Sequence, residues 1–223
     1  MAALVAMVGG CSSGSGSQLA TSGPMLPGAS RSVPNAHSAN PKWWQYYYRP
    51  SGNHLSRTQA SYSQGTASFS FAAAVYTALL ISRDQSLTGN LTGDTLTDTV
   101  TVSGATSQFV SQNGGSCTPG YPAVRFYFSE PGQFANTHYW WSNQESYTLA
   151  NGSATLTASL ADPSQWSDWN GQSGSSNPTG FYAAVANVRW IGLSYGGGCF
   201  FENGATVYSG SALFSSQFTE TPS

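Results

Sequence analysis

The chain has 223 residues, only 7% of them charged, and a formal net charge of −2. That length allows one ordinary domain plus an appendage. A single lysine, Lys42, and the lack of any basic stripe argue against a nucleic-acid partner. Aromatics make up 13% of residues, so flat rings are expected to supply a core that is short of Leu and Ile. The Ser, Thr, Gly, Asn and Gln bulk suits β-strands joined by turns rather than helices.

The N-terminus is apolar and ends in Val8-Gly9-Gly10-Cys11, with small residues directly before a cysteine. It resembles a lipobox, in which residues 1–11 form a signal cut before Cys11 and the thiol carries a lipid. The apolar stretch is short and lacks a basic start. A cysteine in a flexible end is the alternative reading. No run of 18 apolar residues occurs, so membrane contact is expected through the lipid anchor alone. Ser12 after the cysteine suits the outer membrane, and the expected location is exported, at the cell surface or facing the periplasm. Residues 12–42 are rich in Ser, Gly, Ala and Pro and read as a disordered tether with a reach of roughly 30 Å. The ordered domain is expected over 43–223.

Within that domain, apolar residues recur with period two. Residues 66–75 place Phe69, Phe71, Ala73 and Val75 on one face. Leu96, Val100 and Val102 alternate with threonines, and Val124, Phe126 and Phe128 alternate with Arg125 and Tyr127. Ala154, Leu156, Ala158 and Leu160 form another such run, and 213–218 reads as a strand near the end. Each run is expected to face a core on one side and water on the other. Asn-Gly, Gly-Asp, Gly-Gly and Pro-Gly dipeptides punctuate the runs. The period changes once: Asn177-Pro178 precedes Phe181, Val185 and Val188 at helical spacing, which predicts a short helix over 178–187 capped by Asn177. A strand follows from Trp190 to Tyr195, with Ile191, Leu193 and Tyr195 on one face. The expected fold is an all-β antiparallel sandwich with this one helix.

With Cys11 lipidated, Cys117 and Cys199 remain as an even pair for an oxidising compartment. Both lie in glycine-rich loops, and a disulfide between them is the expected reading. Two free thiols or half a metal site is the alternative. His37, His54 and His138 are scattered and show no metal-ligand spacing.

The stretch 160–218 carries Asp162-Pro163-Ser164-Gln165-Trp166, then Ala186-Asn187-Val188, Ile191-Gly192-Leu193-Ser194-Tyr195-Gly196-Gly197-Gly198 and Phe200-Phe201-Glu202-Asn203-Gly204. This order resembles secreted bacterial jelly-roll modules of the laminin-B-like and galactose-binding-like group, which include carbohydrate-binding modules. The resemblance covers about a quarter of the chain. It implies a jelly-roll sandwich and, less directly, binding to carbohydrate or another extracellular polymer. Cys199 after the triple glycine is not implied by it.

The chain's carboxylates show no Glu-x-Asp or Glu-x-Glu pair on one strand, so no hydrolase pair is visible and no enzyme is expected. Asp94 and Asp98 read as solvated side chains or turn caps. No cofactor is expected. A structural calcium is conceivable through Asp162 or Asp168, but no calcium-loop motif supports it, and turn or N-cap roles fit these residues better. Gly10-Cys11-Ser12-Ser13-Gly14 matches a nucleophile-elbow pattern by chance, with no strand before it or helix after it. The positive signal is aromatic: Trp43-Trp44-Gln45-Tyr46-Tyr47-Tyr48, Tyr139-Trp140-Trp141 and Trp166-Ser167-Asp168-Trp169. Neighbours along a strand point oppositely, so each cluster should bury one ring and expose another. Trp169, Asp168, Trp166, Trp140 and Trp141 are the candidate ligand-binding residues, with rings stacking on sugar and Asp168 setting orientation. A structural or adhesion role with protein partners is the alternative, and a polysaccharide-acting enzyme is a third.

Overall fold

The computed structural model describes residues 40–49, 52–112, 121–130, 136–197 and 201–223. Cys11, Cys117 and Cys199, and with them the expected lipid attachment and disulfide, lie outside the described residues. Fourteen strands follow in chain order: β1 Trp43–Arg49, β2 Gly52–Gln59, β3 Ser61–Ser63, β4 Thr66–Ala72, β5 Tyr76–Ser82, β6 Thr95–Ser103 and β7 Phe109–Ser111. Then come β8 Ala123–Ser129, β9 Tyr139–Thr148, β10 Gly152–Ser159, β11 Trp166–Asp168, β12 Trp190–Gly196, β13 Ala205–Val207 and β14 Ser211–Thr221. One α-helix, α1, spans Pro178–Val185.

The strands form two antiparallel sheets. The larger has the order β11-β9-β8-β12-β5-β1-β2, with β13 joined to β5 and β7 to β13. The smaller has the order β10-β6-β14-β4-β3. This is the expected all-β sandwich. Phe69, Phe71, Leu96, Val100, Leu156, Ala158 and Phe214 from the smaller sheet meet Trp43, Leu80, Val124, Phe126, Phe128, Ile191, Leu193 and Tyr195 from the larger. Rings do fill this interior. Tyr195 contacts Phe69, Phe71 and Phe214 edge-on, at centroid distances of 5.7, 5.5 and 5.3 Å.

The helix forms where the period changes. Asn177 caps it, its side-chain oxygen accepting from the Gly180 N–H, and Pro178 occupies the first turn. Phe181 is fully buried and lies 5.1 Å from Trp140 and 6.0 Å from Phe128. The helix thereby docks on the sandwich core.

Three expectations are corrected. The run 66–75 stops as a strand at Ala72, because Ala73 and Ala74 turn the chain, Ala74 with φ 63°. Asp94 and Asp98 are not solvated: both are fully buried. In β6 the inward face reads Leu96, Asp98, Val100, Val102, so strict alternation carries Asp98 inside. Its Oδ2 accepts from Ser216 Oγ at 2.6 Å, while Oδ1 is buried without a partner. Burial pushes this carboxyl up to about 7. Finally, the outer side of the larger sheet is not a plain polar surface. It carries a second apolar layer, built from Tyr46, Leu79, Ile81, Tyr127 and Trp141.

Candidate functional site

The second layer follows from parity along four strands. In β8, Val124, Phe126 and Phe128 enter the interior, which turns Arg125 and Tyr127 outward. In β12, Ile191 and Leu193 point in and Trp190 points out. In β1, Trp43 is interior while Trp44, Tyr46 and Tyr48 belong to the outer layer. In β9, Trp140 is interior and Tyr139 and Trp141 are outer. Trp169, just past β11, completes the row. Rings therefore recur on β9, β8, β12 and β1, with Leu79 and Ile81 of β5 between the last two. Six inter-strand steps separate β11 from β2, roughly 29 Å at the usual strand spacing.

The rings touch one another in two groups. Tyr127 lies 5.5 Å from Trp141, Trp141 lies 5.8 Å from Trp169, and Tyr139 lies 5.9 Å from Trp169. Tyr46 stacks on Trp190 at 6.3 Å. Guanidinium groups cover several of them: Arg57 over Trp44 at 5.0 Å, Arg83 over Trp190 at 4.1 Å and Arg125 over Phe201 at 4.2 Å.

At the β9–β11 end, Trp141, Trp169 and Phe201 border a cavity of about 370 Å³. Asp168, Asn170, Gly171 and Glu202 share its lining. The volume is in the range of small-ligand sites, and the lining has the usual mixture of apolar walls and a few polar groups. Asp168 is buried, and its Oδ1 accepts from the backbone N–H groups of Asn170 and Gln172, both at 2.9 Å. It holds the loop that carries Trp169, the turn role that the sequence favoured. Asp162 likewise caps the short 3-10 helix Pro163–Gln165 by accepting from the Ser164 N–H. Glu202 is half-buried at its surface but closely surrounded, and burial pushes its carboxyl up to about 7. Among the described residues, no three His, Cys, Asp or Glu side chains converge as a metal site.

Of the five ligand-binding candidates, the structure brings Trp141, Asp168 and Trp169 to one cavity. Trp140 and Trp166 are corrected: both are 0% exposed and belong to the interior core. Their indole N–H groups are spent on the carbonyls of Thr137 and Ser159, at 2.8 and 2.9 Å. A ring with no accessible face cannot stack on a sugar; Trp141, 3% exposed, backs the cavity as its inner wall, and Trp169 and Phe201 are the partly exposed rings beside it. Sequence reasoning missed Asn170, Gly171, Phe201 and Glu202. The last two sat inside a stretch quoted for its resemblance, and no local signal placed them over β8.

No protein-family model matches the chain, and no curated protein matches it. Among solved structures, the chain resembles a xylan-binding module, CBM15, with a TM-score of 0.39 and 14% identity. That match covers 79% of this chain and 91% of the module. Similarity of this degree does not separate one two-sheet sandwich from another, and the strand pairings above define the architecture directly. No helix among the described residues is long and apolar enough to cross a membrane.

Proposed function

We propose that this protein binds carbohydrate without cleaving it, through the aromatic row on the outer face of its larger sheet. The single observation that carries the reading is the cavity walled by Trp141, Trp169 and Phe201 with Asp168, Asn170 and Glu202 at its lining. Indole and phenyl faces complement the C–H side of a pyranose, and the amide and carboxyl groups complement its hydroxyls. Tyr46, Tyr127 and Trp141 are buried beneath this face, and the partly exposed rings at its two ends, Trp169 and Phe201 beside the cavity and Trp44, Tyr48 and Trp190 toward β1, favour a polymer lying across the strands over a single sugar. The lipobox-like leader and the polar tether support presentation of the domain from the envelope surface, with the lipid on Cys11.

Retention on insoluble polysaccharides and on a glycan array tests this. The wild type is expected to bind at least one glycan, and Trp169→Ala to lose roughly tenfold or more in affinity. Equal retention of both proteins removes this cavity as the site.

One observation supports an enzymatic reading as second: the fold gathers two carboxyls, Asp168 and Glu202, at the same cavity. Glycoside hydrolysis needs such a pair, one of them with a raised pKa. Asp168 is largely committed to its loop, which favours binding alone. Release of reducing ends, abolished by Glu202→Gln, is the result that establishes the enzyme.

A further inference from the structure

The described part of the chain is poor in cations, yet several of its arginines lie on the face proposed above. Lys and Arg together number 7 in the whole chain. Arg57 Nη1 and Arg83 Nη2 both reach the Tyr46 hydroxyl oxygen, at 3.4 and 3.1 Å. The two nitrogens can therefore be no further apart than those two bonds laid end to end. Both side chains are exposed at their residue level. Each guanidinium also lies over an indole, Arg57 on Trp44 and Arg83 on Trp190.

Two like charges held this closely repel each other, and a carboxylate between them would ordinarily relieve it. None of the described carboxylates is within ion-pair distance of either group. Asp84, adjacent in sequence to Arg83, is engaged with the Ser86 N–H and hydroxyl at 3.0 and 2.8 Å. Each guanidinium has five N–H donors, and the phenol takes one from each. The remaining forks are pre-oriented by the rings beneath them, so less side-chain entropy is lost when an oxyanion binds. Beside them Arg83, Arg189 and Trp190 border a depression of about 560 Å³ that also presents Gln85, Thr88 and Asn187.

We propose that Arg57 and Arg83, converging on the Tyr46 hydroxyl, form an anion subsite for the carboxylate or sulfate ester of an acidic glycan. The glycan would lie along the aromatic row, so the inference rests on the carbohydrate-binding reading and names its ligand class. Bidentate guanidinium–oxyanion pairing supplies the selectivity, and the rings supply contact with the sugar that carries the charge. Arg189 extends the subsite toward the next residue of the polymer.

Matched pairs of probes test it. Alginate and polygalacturonate are each compared with their carboxyl-reduced derivatives, and dextran sulfate with dextran, by affinity electrophoresis and calorimetry. The wild type is expected to prefer at least one acidic member over its neutral partner by roughly tenfold or more. A preference confined to the uronate pairs assigns carboxylate, and one confined to the dextran pair assigns sulfate. The double variant Arg57→Gln/Arg83→Gln, checked for an unchanged thermal melt, is expected to lose the preference. Arg83→Lys retains part of it, and Lys42→Gln leaves it intact. A neutral glycan bound as well as its acidic counterpart, with Trp169→Ala still damaging, overturns the anion subsite but keeps carbohydrate binding. A preference that survives the double variant overturns the assignment to these arginines. Failure to bind any charged or neutral glycan overturns both readings.

Discussion

Trp140 and Trp141 are neighbours in β9 that belong to different layers: Trp140 is sealed between the two sheets against Phe181, and Trp141 lies outside, 5.8 Å from Trp169. One residue of strand register separates a core ring from a site ring. Substitutions at Trp140 and Trp169 should therefore divide cleanly. Trp140→Ala removes a filled interior volume and is expected to cost about 3–5 kcal/mol of stability. Trp169→Ala is expected to leave the melting temperature within about 3 °C and to reduce glycan retention. Thermal unfolding measured beside a binding assay checks both, and a Trp169→Ala protein that melts early but binds normally contradicts the division.

The buried carboxyl of Asp98 gives the fold a pH dependence opposite to that of an ordinary paired aspartate. Its folded pKa is raised from 3.8 to about 7 by burial. Below the unfolded value both states hold the proton and nothing is lost. Between about pH 4 and 7 the unfolded chain ionises while the folded protein keeps its proton, so stability falls across that window and levels off above it. Glu202, raised from 4.5 to about 7, adds a loss of the same sign. The melting temperature is expected to drop by several degrees between pH 4.5 and pH 8. Asp98→Asn keeps an acceptor for Ser216 and removes the charge, so it should raise the melting temperature at pH 8 and reduce the dependence to the share that Glu202 contributes. A wild-type protein as stable at pH 8 as at pH 4.5 contradicts this assignment.

Much of the sandwich was legible because it is written in alternation. The inward faces of β8, β10 and β12 could be read from Val124-Phe126-Phe128, Leu156-Ala158 and Ile191-Leu193-Tyr195, and α1 from its cap and changed period. Asp98 was legible too: it occupies the inward place between Leu96 and Val100, and its charge masked what its position implied. The outer layer was harder. Arg125 and Tyr127 are polar by type, so alternation assigned their side to water, whereas pairing with β9 and β12 surrounds them with rings. Phe201 and Glu202 reach the cavity by a long-range return of the chain, which no local period encodes. Trp166 shows the converse limit, since its loop neighbours gave no hint that it faces Phe128 at 5.0 Å in the interior.

Glu202 should make glycan binding itself pH-dependent. Its carboxyl is neutral below about 7 and charged above it. Burial raises the pKa values of Tyr48 and Tyr127, and the Glu202 charge raises both further. An acidic glycan crossing the cavity meets a neutral donor at pH 6 and a like charge at pH 8. Affinity for such a glycan is expected to fall severalfold over that interval, and Glu202→Gln should hold it near the low-pH value throughout. Calorimetric titrations at the two pH values decide the matter; the same fall in the Gln variant assigns the effect elsewhere.

Asp168 is expected to act on the site through the backbone. Its Oδ1 satisfies the N–H groups of Asn170 and Gln172, and the Gly171 N–H bonds the Asp168 carbonyl at 2.9 Å, so three consecutive bonds shape the loop that presents Trp169. Asp168→Ala leaves two backbone donors in search of water and frees the loop, while β11 keeps its pairing with β9 through the backbone. Glycan affinity should drop roughly tenfold with only a small change in melting temperature. Asp168→Asn restores an acceptor oxygen without the charge and should recover most of that affinity. Were the carboxylate instead needed as a charge against the ligand, Asn would be as damaging as Ala, and the comparison of the two variants by calorimetry separates a loop anchor from a direct contact.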